Sequence, residues 1–330
     1  MLHPNAKLVA NVFDEKIEKK PTRDGFGKGV LEAGKKDKNV VVLCADLAES
    51  TRAEWFKKEF PERYIEIGVA EQNLATVASG MAAAGKIPFI ASYAAFSPGR
   101  NYEQIRTTIA LNHQPVKICG MHAGVSVGPD GATHQMLEDI GLMRMLPNMV
   151  VLVPADAEEA RKATYAAAFH DSPAYLRFGR SGTPLFTTPE TPFEIGKAYR
   201  LFESAKPRVA LIGAGPILHE ALRAARALDA EGVGSIVLNL HTIKPLDAKA
   251  VVEAARAAGA VVTLEEHQVM GGVGSAIAEC LAEEYPVPIS FIGVRDRFGQ
   301  SGEPEELFEE YGLTGVHIAE VVRALAGRSR

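Results

Sequence analysis

The sequence predicts an α/β fold arranged as two three-layer α/β domains with mostly parallel sheets. Three observations carry this expectation. Short apolar runs alternate with amphipathic helical patterns through almost all of the 330 residues. The runs are nearly continuous in apolar side chains, the mark of strands covered on both faces. The alternation breaks once, over residues 181–208, and then restarts. At roughly 100–200 residues per domain, the length fits about two domains. The expected division is 1–185, a connection at 186–207, and 208–330.

In the first half the strand candidates are NVVVLCAD (39–46), RYIEIG (63–68), IPFIAS (87–92), PVKICG (115–120), MVVLVPA (149–155) and PAYLRF (173–178). Helical spacing occupies 70–84, 135–145 and 156–169. Asp156 fits an N-cap, with Glu158 and Glu159 in the first turn. The break at 181–208 carries four prolines among threonines and serines, a composition that disfavours a helix and reads as an interdomain connection. The second half then gives strand RVALIGAG (208–215), helix 217–229, strand GSIVLNL (234–240), helix 247–257, strand AVVTLEE (260–266), helix 273–284, strand VPISFIGV (287–294) and a closing helix near 315–326.

Composition narrows the function classes. Thirty-six basic against 41 acidic residues give a net charge of −5, which argues against nucleic acid or an anionic membrane as the main partner. Cys44, Cys119 and Cys280 form no CxxC pair and are expected to be reduced thiols, pointing to a cytoplasmic protein. A signal peptide and an 18-residue apolar span are both absent from the expected pattern.

Several motifs invite chemistry. Gly213 and Gly215 form a GxG after a strand, but the third glycine of a dinucleotide site is missing and Asp229 lies at the wrong place for ribose, so a tight turn is the better reading. GGVGS (271–275) enters a helix and either cradles an anion or packs closely. MHAGVSVGPDGATHQ (121–135) follows a strand end and sets His122, Asp130 and His134 among glycines, where open α/β sheets bind ligands; its spacing matches no standard metal pattern. SYAAFSPGRNYEQIR (92–106) places Tyr93, Phe96 and Tyr102 near Arg100 and Arg106, as core or as the wall of a planar-ring site. Arg23, Ser50 and Arg180 lie at element edges and individually read as solvated. Glu71, in GVAEQN, is either a first-turn helix acid or a working carboxylate.

In order, TRDGFGKGV, ADLAEST, PERYIEIGVAEQN, PFIASYAAF, GPDGATHQ, LPNMVVLVPADAEEA and LRFGRS, then TIKPLD, EEHQVMGGVGSAIAE and FGQSGEP, resemble the C-terminal half of transketolase. The resemblance covers most of the chain and implies a thiamine-diphosphate pyrimidine-binding domain followed by a transketolase C-terminal domain. It implies a transferase acting in pentose-phosphate-type chemistry, moving a two-carbon ketol unit from a ketose phosphate to an aldose phosphate. The equivalent of Glu71 binds N1′ of the aminopyrimidine and favours the imino form that activates C2, so Glu71 is a catalytic and cofactor-binding candidate. Burial would help keep it protonatable, whereas a plain helix-start role would favour its charged form.

By the same resemblance, Phe96 and Tyr93 wall the aminopyrimidine, Asp130 and His134 contact the donor hydroxyls, and His134 also serves catalysis. Arg23, Ser50, His122 and Arg180 match positions that grip the sugar phosphate. The third pocket aromatic would align near Gly99 or Tyr102, and Met136 stands where proline is common. The GDG motif for diphosphate and Mg²⁺ or Ca²⁺ is missing, so no metal ligand is expected on this chain. The resemblance therefore implies one subunit of a split enzyme, joined to an N-terminal diphosphate-binding subunit as α2β2. The alternatives are a deoxyxylulose-phosphate-synthase-like enzyme, a 2-oxoacid dehydrogenase β-type subunit, or a non-catalytic assembly subunit.

Overall fold

The structure is a computed structural model that describes residues 1–328. Six strands follow the first-half expectation: β1 (Val40–Cys44), β2 (Tyr64–Glu66), β3 (Ile87–Tyr93), β4 (Lys117–Met121), β5 (Val150–Leu152) and β6 (Ala174–Arg177). All neighbouring pairs among them are parallel, in the order β5-β6-β4-β3-β1-β2. Their largely apolar runs need cover on both faces. The helices α1 (Thr22–Lys36), α2 (Glu71–Ala83), α3 (Asp139–Arg144) and α4 (Ala157–Ala168) belong to this half. The direction of winding reverses around β1, which puts the crevice of an open α/β sheet at the carboxyl ends of β1 and β3.

α1 was not signalled by apolar spacing, because its sequence is glycine-rich. The glycines have a packing reason. A Cβ on Gly25 would fall 2.1 Å from the Ala157 carbonyl oxygen, and one on Gly29 would fall 2.5 Å from that of Arg161. The backbones of α1 and α4 therefore touch, and this close approach offsets the roughly 1 kcal/mol helix cost of each glycine. The expected helix over 135–145 begins later, at Asp139, because residues 131–137 remain part of a loop locked to other elements. Asp156 caps α4 as expected, accepting from the backbone N–H groups of Glu158 and Glu159.

The second sheet has order β12-β11-β8-β9-β7, built from β7 (Tyr199–Glu203), β8 (Pro207–Gly213), β9 (Gly234–Asn239), β11 (Val261–Gln268) and β12 (Ile289–Val294). Only the β7–β9 pair is antiparallel. Helices α5 (Ile217–Ala230), α6 (Ala248–Ala258), α7 (Val273–Glu284), α8 (Pro304–Glu310) and α9 (Gly315–Arg328) complete this half.

Two segments cross the expected division. Residues 1–17 join the second half: the His3 N–H donates to the Leu201 carbonyl, and Val12 and Ile17 are buried in one cluster with Leu211 and Leu218. Conversely β10 (Thr242–Lys244) pairs antiparallel with β5 and completes the first sheet. The stretch 186–207 is also more than a connection, since Phe186 is buried and Tyr199–Glu203 is an edge strand. A five-residue strand inside a proline-rich stretch is too short to register as a periodic pattern. One apolar cluster runs from Leu43 and Leu74 through to Ile212 and Val251, so the two halves share a core.

Candidate active site

The candidate residues gather at the carboxyl edge of the first sheet. Tyr93 ends β3 and His122 follows β4. Glu71 opens α2 after β2, Arg180 follows β6, and Arg23 lies in the first turn of α1. The His122 and Tyr93 rings stack with centroids 4.0 Å apart. Phe96 stacks on Tyr93 at 5.6 Å, and His134 meets both rings edge-on, at 6.0 Å and 5.5 Å. The result is a wall of four rings. Phe96 sits on the turn closed by the cis Ser97–Pro98 peptide, with Gly99 too crowded by the Ala95 carbonyl for a side chain. Tyr102 packs against the main core rather than joining the rings, so neither position considered for a third aromatic extends the wall.

Arg23 ties one end of this wall. Its Nη1 donates to the Ser50 carbonyl at 2.7 Å and lies 2.9 Å from His122 Nε2. Because a guanidinium can only donate, Nε2 is the acceptor and the His122 proton sits on Nδ1. Burial, then the nearby Arg23 and Arg180 charges, push the His122 pKa down to about 3. The same burial, with Arg52 beside it, lowers that of Arg23. His122 has φ +54°, a left-handed backbone uncommon for non-glycine residues though less so for histidine. His122 Nδ1 and Arg23 Nε are buried without a hydrogen-bond partner among the described residues. Both are donors, which suits an acceptor-rich ligand.

Along the loop of residues 122–135, Arg180 donates to the Val127 carbonyl at 2.9 Å and pairs with Asp130 at 3.3 Å. The Thr133 hydroxyl lies 2.9 Å from His134 Nδ1, which leaves Nε2 as the ring nitrogen not engaged by Thr133. Ser50 enters the site through its carbonyl rather than its hydroxyl.

Glu71 stands apart from its own helix. Its side chain is 5 % exposed, and Oε1 accepts from Arg100 Nη1 at 3.1 Å. No backbone N–H of α2 bonds to the carboxylate, and Oε2 has no hydrogen-bond partner among the described residues. The Arg100 guanidinium lies 4.1 Å above the Phe96 ring, so it bridges the acid to the aromatic wall. Asn101, fully buried, donates to the Glu71 carbonyl at 2.9 Å and to Ser97 Oγ at 3.1 Å, anchoring the start of α2 to the Phe96 turn.

Sequence reasoning placed Arg100 beside the aromatics but assigned it no contact, and it missed Asn101. Arg100 lies four residues after Phe96, a spacing that one closed turn brings face to face. Asn101 gave no signal of its contact with Glu71, because that partner lies 30 residues away. The other glycine-rich loops are structural. At the GGVGS loop the Glu265 carboxylate takes the backbone donors, accepting from Val273 N at 2.7 Å and Gly274 N at 2.9 Å. Gly213 packs on Leu264.

The doubly wound sheet carries an acid, an aromatic wall and a cationic corner at its carboxyl edge, the place where open α/β folds bind ligands. The sequence matches the family described as transketolase, pyrimidine binding domain, over residues 18–184, and the transketolase C-terminal domain over 196–318. It is 41% identical over 303 residues to a putative transketolase C-terminal section of Methanocaldococcus jannaschii, covering 91% of this chain and 94% of that one. It is 40% identical over 312 residues to a 6-deoxy-6-sulfo-D-fructose transketolase subunit of a Clostridium species, covering 94% and 95%. A solved structure described as a split gene transketolase, inactive β4 tetramer, superposes with a TM-score of 0.87 at 44% identity, over 94% of this chain and 99% of that one. The chain belongs to the transketolase family.

Proposed function

We propose that this chain is the C-terminal subunit of a split, thiamine-diphosphate-dependent transketolase. It would move a two-carbon ketol unit from a ketose phosphate to an aldose phosphate once an N-terminal subunit supplies the diphosphate-binding domain. The observation that carries this reading is Glu71: a buried carboxylate, unused by its own helix, one guanidinium away from the Phe96 face.

The residues present fit an aminopyrimidine. The second oxygen of the Glu71 carboxylate can hold a ring N–H, and Tyr93 and Phe96 offer a flat apolar wall beside it. When bound, thiamine diphosphate supplies the electron sink for breaking the donor's carbon–carbon bond. Glu71 would hold and share the proton at N1′. Phe96 and Tyr93 would orient the ring, and Arg100 would have to yield part of that face. His134, with Nδ1 engaged by Thr133, would present Nε2 to the sugar next to Asp130. His122 would stay neutral and donate from Nδ1, and Arg23 and Arg180 would attract the terminal oxyanion of the sugar. Phosphate and sulfonate are both served by such a pair, and the relative named for a sulfo-sugar is consistent with that.

The diphosphate and its Mg²⁺ or Ca²⁺ would be held by the partner, in an α2β2 assembly. The relative described as an inactive β4 tetramer supports a chain that is inactive without its partner. We place the assembly in the cytoplasm; among the described residues no helix is long and apolar enough to cross a membrane. The test is co-expression with a chain carrying the diphosphate-binding domain, followed by a ketol-transfer assay with thiamine diphosphate and Mg²⁺ on phosphorylated and sulfonated ketoses. Turnover by the pair and none by either chain is expected; an inactive assembled pair would overturn the reading.

A further inference from the structure

The second half of the chain contributes none of the candidate residues, yet it grips the loop that carries three of them. Glu266, at the end of β11 and 4 % exposed, accepts the Ser126 backbone N–H through Oε1 at 2.6 Å. The carboxylate lies so close to the loop that a Cβ on Gly124 would come within 2.2 Å of it, and Gly124 has φ +88°. Glycine is required there on both counts. The Glu266 main chain is fixed in turn: its carbonyl accepts from Arg177 Nη2 at 2.9 Å, and Arg177 is paired with the fully buried Asp139 at 2.8 Å.

The opposite face of Ser126 meets the site. Its carbonyl accepts from the Ser181 hydroxyl at 2.6 Å, beside Arg180, which holds the next carbonyl along, that of Val127. A second grip lies further along the loop. The Gln135 side-chain amide, next to His134, donates to the Val125 and Gly128 carbonyls and across to the Gln300 carbonyl at 2.9 Å. A backbone bond from Gln268 to the Leu137 carbonyl closes the end of the segment.

A buried carboxylate is an expensive way to hold one serine of a loop. Burial indeed raises the Glu266 pKa, against the Arg177 charge and the Ser126 N–H, which lower it. Apolar packing would join the two halves at lower cost, whereas a fixed acceptor sets the position of a particular backbone atom.

We infer that Glu266 is a positioning residue: from the second domain it fixes the backbone of residues 124–128, and through Ser126, Ser181 and Val127 it places Asp130, His134 and Arg180 for the sugar. The clamp stands on geometry alone; its catalytic consequence rests on the two-carbon transfer reading. Glu71 and Phe96 lie on other segments, and the clamped loop reaches the cofactor wall only through the rings of His122 and His134, so cofactor binding should respond less than sugar binding.

The experiment compares wild type, Glu266→Gln, Glu266→Leu and Ser181→Ala in the full chain, alone and assembled with the diphosphate-binding partner. By hydrogen exchange, Glu266→Leu should speed exchange over 122–137 by about tenfold or more while β9 is unchanged, as a local opening does. Gln keeps an acceptor and should exchange nearly as wild type. In the assembled enzyme, with xylulose 5-phosphate and ribose 5-phosphate as probes, Glu266→Leu should raise the donor KM about tenfold. The Kd for thiamine diphosphate should change by less than the donor KM does, and Gln should restore KM. Unchanged exchange over 122–137, or an opened loop with an unchanged KM, would overturn the inference. If Glu266→Leu loosens the whole chain, Ser181→Ala decides: faster exchange confined to 122–137 supports the clamp, and no change there overturns it. A wild-type pair inactive on the probes would count against the transfer reading, while the exchange measurement still decides the clamp.

Discussion

Two helices, Glu71–Ala83 and Val273–Glu284, each start beside a buried glutamate, yet the two acids are used in opposite ways. Glu265 gives both oxygens to the N-terminal N–H groups of its helix and lies 3.5 Å from His267. Its acceptors are filled by backbone. Glu71 gives none to its helix, keeps Oε2 unused among the described residues, and meets only the half-exposed Arg100. Proximity to a helix start does not separate a structural acid from a working one; an account of where each lone pair goes does. Asp156 confirms the structural pattern, with five donors from Glu158, Glu159, Phe186 and Thr187 on its two oxygens.

The contrast can be broken most directly at Glu71. Glu71→Gln in the assembled pair should lower kcat by about 10²–10³, the usual size of a lost proton-transfer group, with the melting temperature and assembly unchanged. Single-turnover rates and size-exclusion chromatography check this; full activity would return Glu71 to a helix-start role. Glu265→Gln should do the reverse. It removes one acceptor and the charge beside His267, so urea unfolding should show a loss of about 1–3 kcal/mol, with kcat in the assembled pair kept.

Histidines repeat the contrast. His122 lies in the site, while His241 is stacked between Phe193 and Tyr199 where the halves meet. Burial leads in pushing each pKa down to about 3, with Arg23 and Arg180 adding to it for His122. An unfolded histidine titrates near 6.5, so above that pH neither state binds the proton and the stability is fully present. Below it the unfolded chain takes up protons that the folded chain refuses, and stability falls as pH drops from about 6.5 toward 3. His241→Phe should flatten that slope by one proton, about 1.4 kcal/mol per pH unit, in denaturation midpoints at pH 7.5 and 5.5. The smallest effect is expected at Arg100. The Arg100 end of its pair with Glu71 is half exposed to water, so Arg100→Ala should cost about 1 kcal/mol of stability, seen as a small shift in the urea midpoint.

Much of this fold is legible in the sequence because strands covered on both faces must be continuously apolar. Every strand quoted from the apolar runs is present, within a few residues. The missed elements have physical reasons. α1 hides its periodicity behind glycines whose role is a backbone contact with α4. β7 and β10 are short edge strands whose pairing is set by distant chain. The candidate site was legible in part: Glu71, Tyr93, Phe96, His122 and His134 came from motif order and do fall at one sheet edge. Arg100 and Asn101 gave no local signal of their contacts with Glu71, nor Glu266 of its contact with Ser126, because only folding brings those partners near.

By itself the sequence determined the α/β alternation, the run of strand-end loops and the residue types within them, since apolar periodicity and turn chemistry are local properties. Tertiary structure alone decided which acids are consumed by backbone donors, that the halves exchange segments and share a core, and that a glutamate 140 residues away holds the loop bearing His134. Burial and the pairing of donors with acceptors depend on what surrounds a residue in space, and no spacing along the chain encodes that.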